Sequence, residues 1–272
     1  MFRVPAGERS PRVTLLQILL NSHACADASG RRLTVDGVYG RNTQAALASA
    51  TKLMRVGDPT GTVATPELVK AMLKDVDLTV ITSVDLGDPN LQADIDVFKK
   101  EGNVPILLGG MCNGLQEMIR SVSARARPGR VAELRFDGHG NLGRWLTISV
   151  GNIAHLPKAE YQQIEKEINS YISATNFDQV SSLIAPLRTI FAPFGFVEHL
   201  GCTLGAVAGT RGMLKKLANL WGVPIRVGIT TQPIGTVTVV GQDFVAYPKS
   251  LDLRSWSQQF DKLDLPGTSR KQ

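Results

Sequence analysis

Apolar positions near the start of the chain recur at helical spacing: Leu15, Leu16, Leu19 and Leu20 share one side of a helix, with Gln17 and Asn21 on other faces. A polar stretch over 26–32 follows. Then comes Leu33-Thr34-Val35-Asp36-Gly37-Val38-Tyr39-Gly40-Arg41-Asn42-Thr43, in which Asp36-Gly37 signals a turn and Gly40 a second bend. Asn42 or Thr43 suits the cap of a second helix, with Ala45, Ala46, Leu47 and Leu53 on its apolar side. After the turn-forming Gly57-Asp58-Pro59-Thr60-Gly61, Thr65-Pro66-Glu67 opens a third helix that ends near Leu73. Thr caps it, Pro occupies the first helical position, and Glu faces the positive end of the helix dipole.

From Lys74 the pattern changes. Short apolar strands over 78–81, 104–108, 131–136, 194–200 and 224–229 alternate with helices. Those helices carry Leu91, Ile95 and Phe98; Leu115, Met118, Ile119 and Val122; and Met213, Leu214, Leu217 and Leu220. Further helical stretches are predicted over 158–173 and 177–191, and 145–150 is β-like. Such alternation predicts a mostly parallel sheet covered by helices on both faces. Residues 236–240 and 244–247, joined by Gly241-Gln242-Asp243, read as a terminal hairpin. The expected organisation is a three-helix domain over 1–73, an α/β domain over 74–265, and a frayed polar tail over 266–272.

Composition narrows the function classes. The 272 residues are 43% hydrophobic and 20% charged, ordinary for a globular protein with room for two domains. A net charge of +6 suits anionic partners. The basic residues are scattered, however, and the tightest cluster (Arg120, Arg125, Arg127, Arg130) lacks aromatic neighbours for base stacking, so no nucleic-acid partner is expected. Cys25, Cys112 and Cys202 lie far apart with no Cys-x-x-Cys or Cys/His ligand spacing, which argues against a disulfide scaffold and a metal site. No cofactor is expected, and no apolar run is long enough to span a membrane. The stretch from Val13 to Leu20 after Arg12 loosely resembles a secretory signal, but it is short, contains Gln17, and fits the first helix better. The expectation is synthesis in the cytoplasm with free thiols. The oligomeric state leaves no mark on the sequence.

Two residues stand out as candidate chemistry. His139, between Gly138 and Gly140, and Cys202, after Gly201, each follow the carboxyl end of a predicted strand. In an open α/β sheet those ends share one edge, where crevices form. A thiol beside an imidazole can act as nucleophile with the His as general base, and the amides of Gly140 and Cys202 can serve as oxyanion donors. Gly138-His139-Gly140-Asn141-Leu142-Gly143 also fits the dinucleotide pattern G-x-G-x-x-G, but that fingerprint needs a helix to open at once, and the residues that follow are strand-like. A cysteine at a strand end also serves commonly as a small core residue. His199 alternates with Glu198 and faces either the sheet or the crevice; His23, His155, Cys25 and Cys112 read as structural.

Leu15-Leu16-Gln17-Ile18-Leu19-Leu20-Asn21, Val35-Asp36-Gly37-Val38-Tyr39-Gly40 and Thr43-Gln44-Ala45-Ala46-Leu47 together resemble the peptidoglycan-binding domain type 1 family. The resemblance implies a module that contacts peptidoglycan through Asp36, Gly37, Tyr39, Gly40 and Thr43 and does no chemistry itself. Individually, Asp36, Gly37 and Gly40 also read as loop-shaping residues. Ala50-Thr51 departs from the family's usual aromatic-Gln pair. Further on, Asp137-Gly138-His139-Gly140, Gly201-Cys202-Thr203-Leu204-Gly205 and Gly222-Val223-Pro224-Ile225 resemble the caspase-like (clan CD) cysteine peptidases and a related uncharacterised family. Glu198-His199-Leu200-Gly201-Cys202 is faintly similar to the Ser-His-Gly-Cys of L,D-transpeptidases, but Leu200 breaks the spacing, and those enzymes are mostly β.

These resemblances imply a peptidoglycan-targeted cysteine hydrolase that cleaves amide or peptide bonds through His139 and Cys202, with peptidoglycan, a peptide or a protein as substrate. The alternative they leave is a non-catalytic peptidoglycan-binding component or cargo of a phage tail or secretion apparatus. Either would act at the wall, in the periplasm or outside the cell, after lysis, injection or dedicated secretion.

Overall fold

A computed structural model describes residues 2–85, 91–108, 114–138, 144–147 and 171–265. In chain order its strands are β1 (Val4–Pro5), β2 (Val63–Ala64), β3 (Thr79–Asp85), β4 (Ile106–Leu108), β5 (Val131–Asp137), β6 (Arg144–Thr147), β7 (Tyr171–Ser173), β8 (Phe191–His199), β9 (Ile225–Gly228) and β10 (Asp243–Ala246). Its α-helices are α1 (Pro11–Ser22), α2 (Arg41–Met54), α3 (Pro66–Asp75), α4 (Gln92–Lys100), α5 (Gly114–Arg125), α6 (Phe177–Ile184), α7 (Ala208–Trp221) and α8 (Leu253–Gln258). The chain forms two compact units, one built from Met1–Thr79 with Leu251–Gln272, the other from Val80–Ser250.

The first unit differs from the expected three-helix domain. Every residue of α1 is buried, its polar positions included, so α1 is a central helix rather than one with a single core-facing side. It is enclosed because the unit has more parts than three helices. The two-residue antiparallel ladder of β1 and β2 is one addition. The fourth helix, α8, is the other: Asp252 caps it by accepting the Ser255 N–H at 2.7 Å, and Trp256 and Phe260 are buried in an edge-on pair. Gly37 lies directly under α8; at φ +72°, a Cβ there would meet Leu253 Cδ1 at 2.5 Å.

The buried polar side chains of α1 hold loops in place of backbone partners. Gln17 accepts the Asp36 and Gly37 N–H groups at 3.0 and 2.9 Å and donates to Asp36 Oδ1 at 2.8 Å. Asn21 pairs with both backbone groups of Leu33, each at 2.9 Å. Thr14 and Ser257 share a hydroxyl contact of 2.6 Å. The third helix starts as predicted, with Thr65 accepting from Leu68 N–H.

In the second unit a six-stranded sheet runs β10-β9-β8-β5-β3-β4. The pairs β3–β4, β5–β8 and β8–β9 are parallel, and the edge strand β10 is antiparallel to β9. This is a doubly wound arrangement whose order reverses beside β3. Phe136, His199 and Val227 stand abreast in the register of β5, β8 and β9, so the carboxyl ends of these strands share one edge. The face carrying Leu134, Phe136, Val197, Ile225 and Val227 packs against Leu115 and Met118 of α5, Val180 of α6 and Leu214 and Leu217 of α7. On the opposite face, α4 supplies Ile95 and Phe98 to a smaller apolar cluster with Val84 and Leu200.

Three sequence expectations are revised here. Residues 171–173 form β7, antiparallel to β6, rather than the end of a helix. Phe177–Ile184 is α-helical, but Ala185–Ile190 tightens to a 3-10 turn and β8 begins at Phe191. The terminal hairpin pairs β10 with β9, not with 236–240, because Gln232 occupies Val240: its side chain accepts the Val240 N–H at 2.7 Å and donates to the Val240 carbonyl at 3.2 Å.

Candidate functional site

At the carboxyl edge, β8 ends in His199-Leu200-Gly201-Cys202. Leu200 N–H still bonds the Phe136 carbonyl at 2.9 Å and continues the ladder with β5. The chain then bends. Gly201 N–H donates to Nδ1 of His199 at 2.8 Å, and Thr203 N–H donates to the Thr230 carbonyl at 3.1 Å. Thr203 sits in the left-handed region at φ +54°. That conformation costs a β-branched residue roughly 1–3 kcal/mol and persists only where the surroundings over-determine it. Gly205 follows in a short 3-10 turn, where a Cβ would meet Phe244 Cβ at 2.9 Å, so glycine is required for this turn to lie against β10.

The Cys202 thiol is free and half-buried. Its sulfur accepts the Gln232 N–H at 3.3 Å, while the side chain of Gln232 fastens the 232–240 segment onto Val240. Among the described residues, the Cys202 N–H makes no hydrogen bond. A half-buried thiol, which also lies 3.9 Å from the Gln232 carbonyl, and a backbone donor that bonds nothing among the described residues thus belong to one residue. The other half of the expected dyad, His139, and the other expected oxyanion donor, Gly140, lie outside the described residues, as do Cys112 and His155.

His199 faces the sheet core, not the crevice. It is fully buried, its ring centroid 6.4 Å from that of Phe136. Burial drives its pKa down to about 3, so the imidazole is neutral. With Nδ1 accepting from Gly201, the proton resides on Nε2.

The opposite face of the same strands carries a buried charge ladder that the sequence reading missed. Arg135, Glu198 and Arg226 stand abreast across β5, β8 and β9. Arg135 grips Glu133 through two bonds of 2.8 and 2.9 Å. Arg226 reaches Glu198 at 3.1 Å and Asp243 at 2.5 Å. Burial opposes the charge of Arg135, but the surrounding Glu133, Glu198 and Glu101 outweigh it and hold the guanidinium above its ordinary pKa. The alternation of charged and apolar residues along 131–137 was the available signal: Glu133 and Arg135 share one face, Leu134 and Phe136 the other.

The residues expected to meet peptidoglycan are bonded or packed within the first unit. Asp36 accepts from Gln17 and from Val38 N–H, and the hydroxyl of Thr43 accepts from Gln17 at 3.2 Å. Tyr39 is buried and donates its phenol to the Gly61 carbonyl at 2.6 Å. Gly37 is roofed by Leu253, and Gly40 is the residue preceding α2. Cys25 is buried, which pushes its thiol up to about 11; His23 is placed 3.4 Å from the Met72 carbonyl. Among the described residues, no group of three or more His, Cys, Asp or Glu is arranged to hold a metal ion, and no helix is long and apolar enough to cross a membrane.

Comparison with known proteins corrects the family assignments. No family model matches the chain, and no curated protein matches it. Solved structures similar to it include that of gox2181, 11% identical, covering 57% of this chain and 73% of that one with a TM-score of 0.29. Another is the ligand-free aldohexose dehydrogenase of Thermoplasma acidophilum, 12% identical, covering 57% and 66% with a TM-score of 0.28. At these scores the likeness carries no activity over to this chain. The peptidoglycan-binding and caspase-like assignments are withdrawn, since neither family's model matches the chain. With them go the peptidoglycan-targeted cysteine hydrolase and its non-catalytic wall-binding alternative. What stands is a mostly parallel central sheet with flanking helices.

Proposed function

We propose that the second unit is a thiol-centred site that captures an electrophilic carbonyl compound at the carboxyl edge of its sheet. The observation that carries this reading is the pairing, on Cys202, of a half-buried thiol with a backbone N–H that bonds nothing among the described residues. Location supports it, because ligands of open α/β sheets collect beyond the carboxyl ends of the strands. So does the strained Thr203, since left-handed non-glycine residues cluster at functional sites. In the step itself, the Cys202 sulfur adds to the carbonyl carbon, the carbon–oxygen π bond opens, and the proton lost from the thiol ends on the oxygen. The Cys202 N–H is the donor available to the developing oxyanion; such a donor is worth roughly 3 kcal/mol where it is aimed at that charge.

The test uses butyraldehyde labelled with carbon-13 at the carbonyl. The expected result is a thiohemiacetal carbon resonance with the wild-type chain, absent from Cys202→Ala. A wild-type spectrum showing only free and hydrated aldehyde would overturn the reading.

A further inference from the structure

We propose that His199 is a positioning residue for Cys202, acting by accepting the Gly201 N–H on Nδ1 and so fixing the bend that presents the thiol and amide of Cys202. The inference rests on the thiol-centred reading and deepens it. Two residues, Leu200 and Gly201, separate His199 from Cys202, and in that space the chain must leave the ladder with β5 and turn into the crevice. Leu200 N–H remains in the ladder, bonded to Phe136. Gly201 N–H is the first donor to leave it, and it is taken at 2.8 Å by the imidazole two residues back. Two residues further on, Thr230 secures Thr203 N–H at 3.1 Å. Cys202 is therefore suspended between two bonded neighbours, and its own N–H remains unspent among the described residues.

The imidazole does this without chemistry of its own. It is buried on the core face, between Phe136 and Val227 in the sheet register. A side-chain acceptor on residue i bonding the N–H of residue i+2 is the geometry that Asn and Asp use in Asx turns. In His the Nδ1 atom is attached to Cγ, as Oδ1 is in Asn, so Asn is the conservative replacement. A leucine or phenylalanine in the same pocket keeps apolar packing and leaves Gly201 N–H without its acceptor.

The experiment combines a bond measurement with a capture measurement. On the wild-type chain, labelled with nitrogen-15, a through-bond nitrogen–nitrogen coupling between Gly201 N and His199 Nδ1 is expected; its absence would overturn the proposal without any substitution. Capture of labelled butyraldehyde is then compared in His199→Phe and His199→Asn, each checked for folding by its thermal transition. The expected result is a loss of at least about tenfold in adduct affinity for His199→Phe, a difference of roughly 1.4 kcal/mol or more. His199→Asn should recover most of it. Equal capture by a folded His199→Phe would overturn the positioning role while leaving the thiol-centred reading intact. Equal loss in both variants would also overturn it, since a purely structural role does not distinguish the acceptor. No capture by the wild type would remove the reading on which the inference rests.

Discussion

Both units spend buried polar side chains on backbone groups, yet to different ends. In the first, Gln17 and Asn21 replace strand partners for the 33–38 loop, and every bond closes within the framework. In the second, His199 and Gln232 also hold backbone, but what they brace is a thiol at the sheet edge. The loop motif of the first unit suggests a ligand through its family resemblance, and its polar groups are bonded within the framework. The comparison teaches that a polar motif suggests a ligand only where donors or nucleophiles are left over after the fold has taken its share.

The sharpest way to break the comparison is through the charge ladder beneath the site. Arg135→Leu removes the two bonds that Glu133 receives from the guanidinium and takes a cation away from Glu198. The expected loss is about 3–5 kcal/mol in denaturant unfolding. Replacing Glu133 and Arg135 together by leucine should recover a large part of that loss, because removing one member of a buried ion pair costs more than removing both. A double variant as unstable as the single would show that the loss does not arise at Glu133.

In the first unit the matching change is Gln17→Leu. It leaves the Asp36 and Gly37 N–H groups without their acceptor. At about 1–3 kcal/mol for each unsatisfied buried donor, softened by the partial exposure of Asp36, the expected loss is about 3 kcal/mol. Thermal unfolding of the two proteins measures it, and a loss below about 1 kcal/mol would mean that water replaces Gln17 freely.

How far the sequence could be read follows from the same contrast. The alternation of strands and helices from 78 to 228 was legible because hydrophobic periodicity is a local property, and Cys202 was placed correctly just past a strand. The 236–240 segment misled because Thr236-Val237-Thr238-Val239-Val240 has β-branched composition, whereas the deciding contact is the amide of Gln232. Asp252, Leu253, Trp256 and Phe260 do spell a capped amphipathic helix. Sequence order puts them in the α/β domain because they follow it in the chain; long-range contacts, such as Thr14 with Ser257, assign them to the first unit. The role of His199 was undecided for a related reason: alternation fixes the face relative to Glu198 but not which face is the core.

Acidification separates the braces of the two units, since Gln17 and Asn21 do not titrate and His199 does. With its folded pKa depressed to about 3, His199 binds fewer protons in the native state than in the unfolded chain below the ordinary value of 6.5. Its contribution to stability is therefore fully present above pH 6.5. It falls by roughly 1.4 kcal/mol per pH unit below that, until the pH reaches the folded value. Urea unfolding of wild type and His199→Asn from pH 7 down to pH 4 should show a shallower decline in the variant. Parallel curves would place the acid sensitivity elsewhere.

The smallest expected effect bears most directly on the motif of the first unit. Tyr39 is 3% exposed, and its phenol donates to the Gly61 carbonyl at 2.6 Å. Tyr39→Phe keeps the ring and deletes only that donor. A buried bond between neutral groups contributes about 1 kcal/mol net, and the ring's apolar burial, which the substitution keeps, is worth more. The variant should thus stay folded with a thermal midpoint a few degrees lower. The change should be confined to stability, because a ring this buried offers no surface to a ligand. An unchanged midpoint would mean that Gly61 is satisfied by other means, and that the tyrosine is retained in this loop for its ring alone.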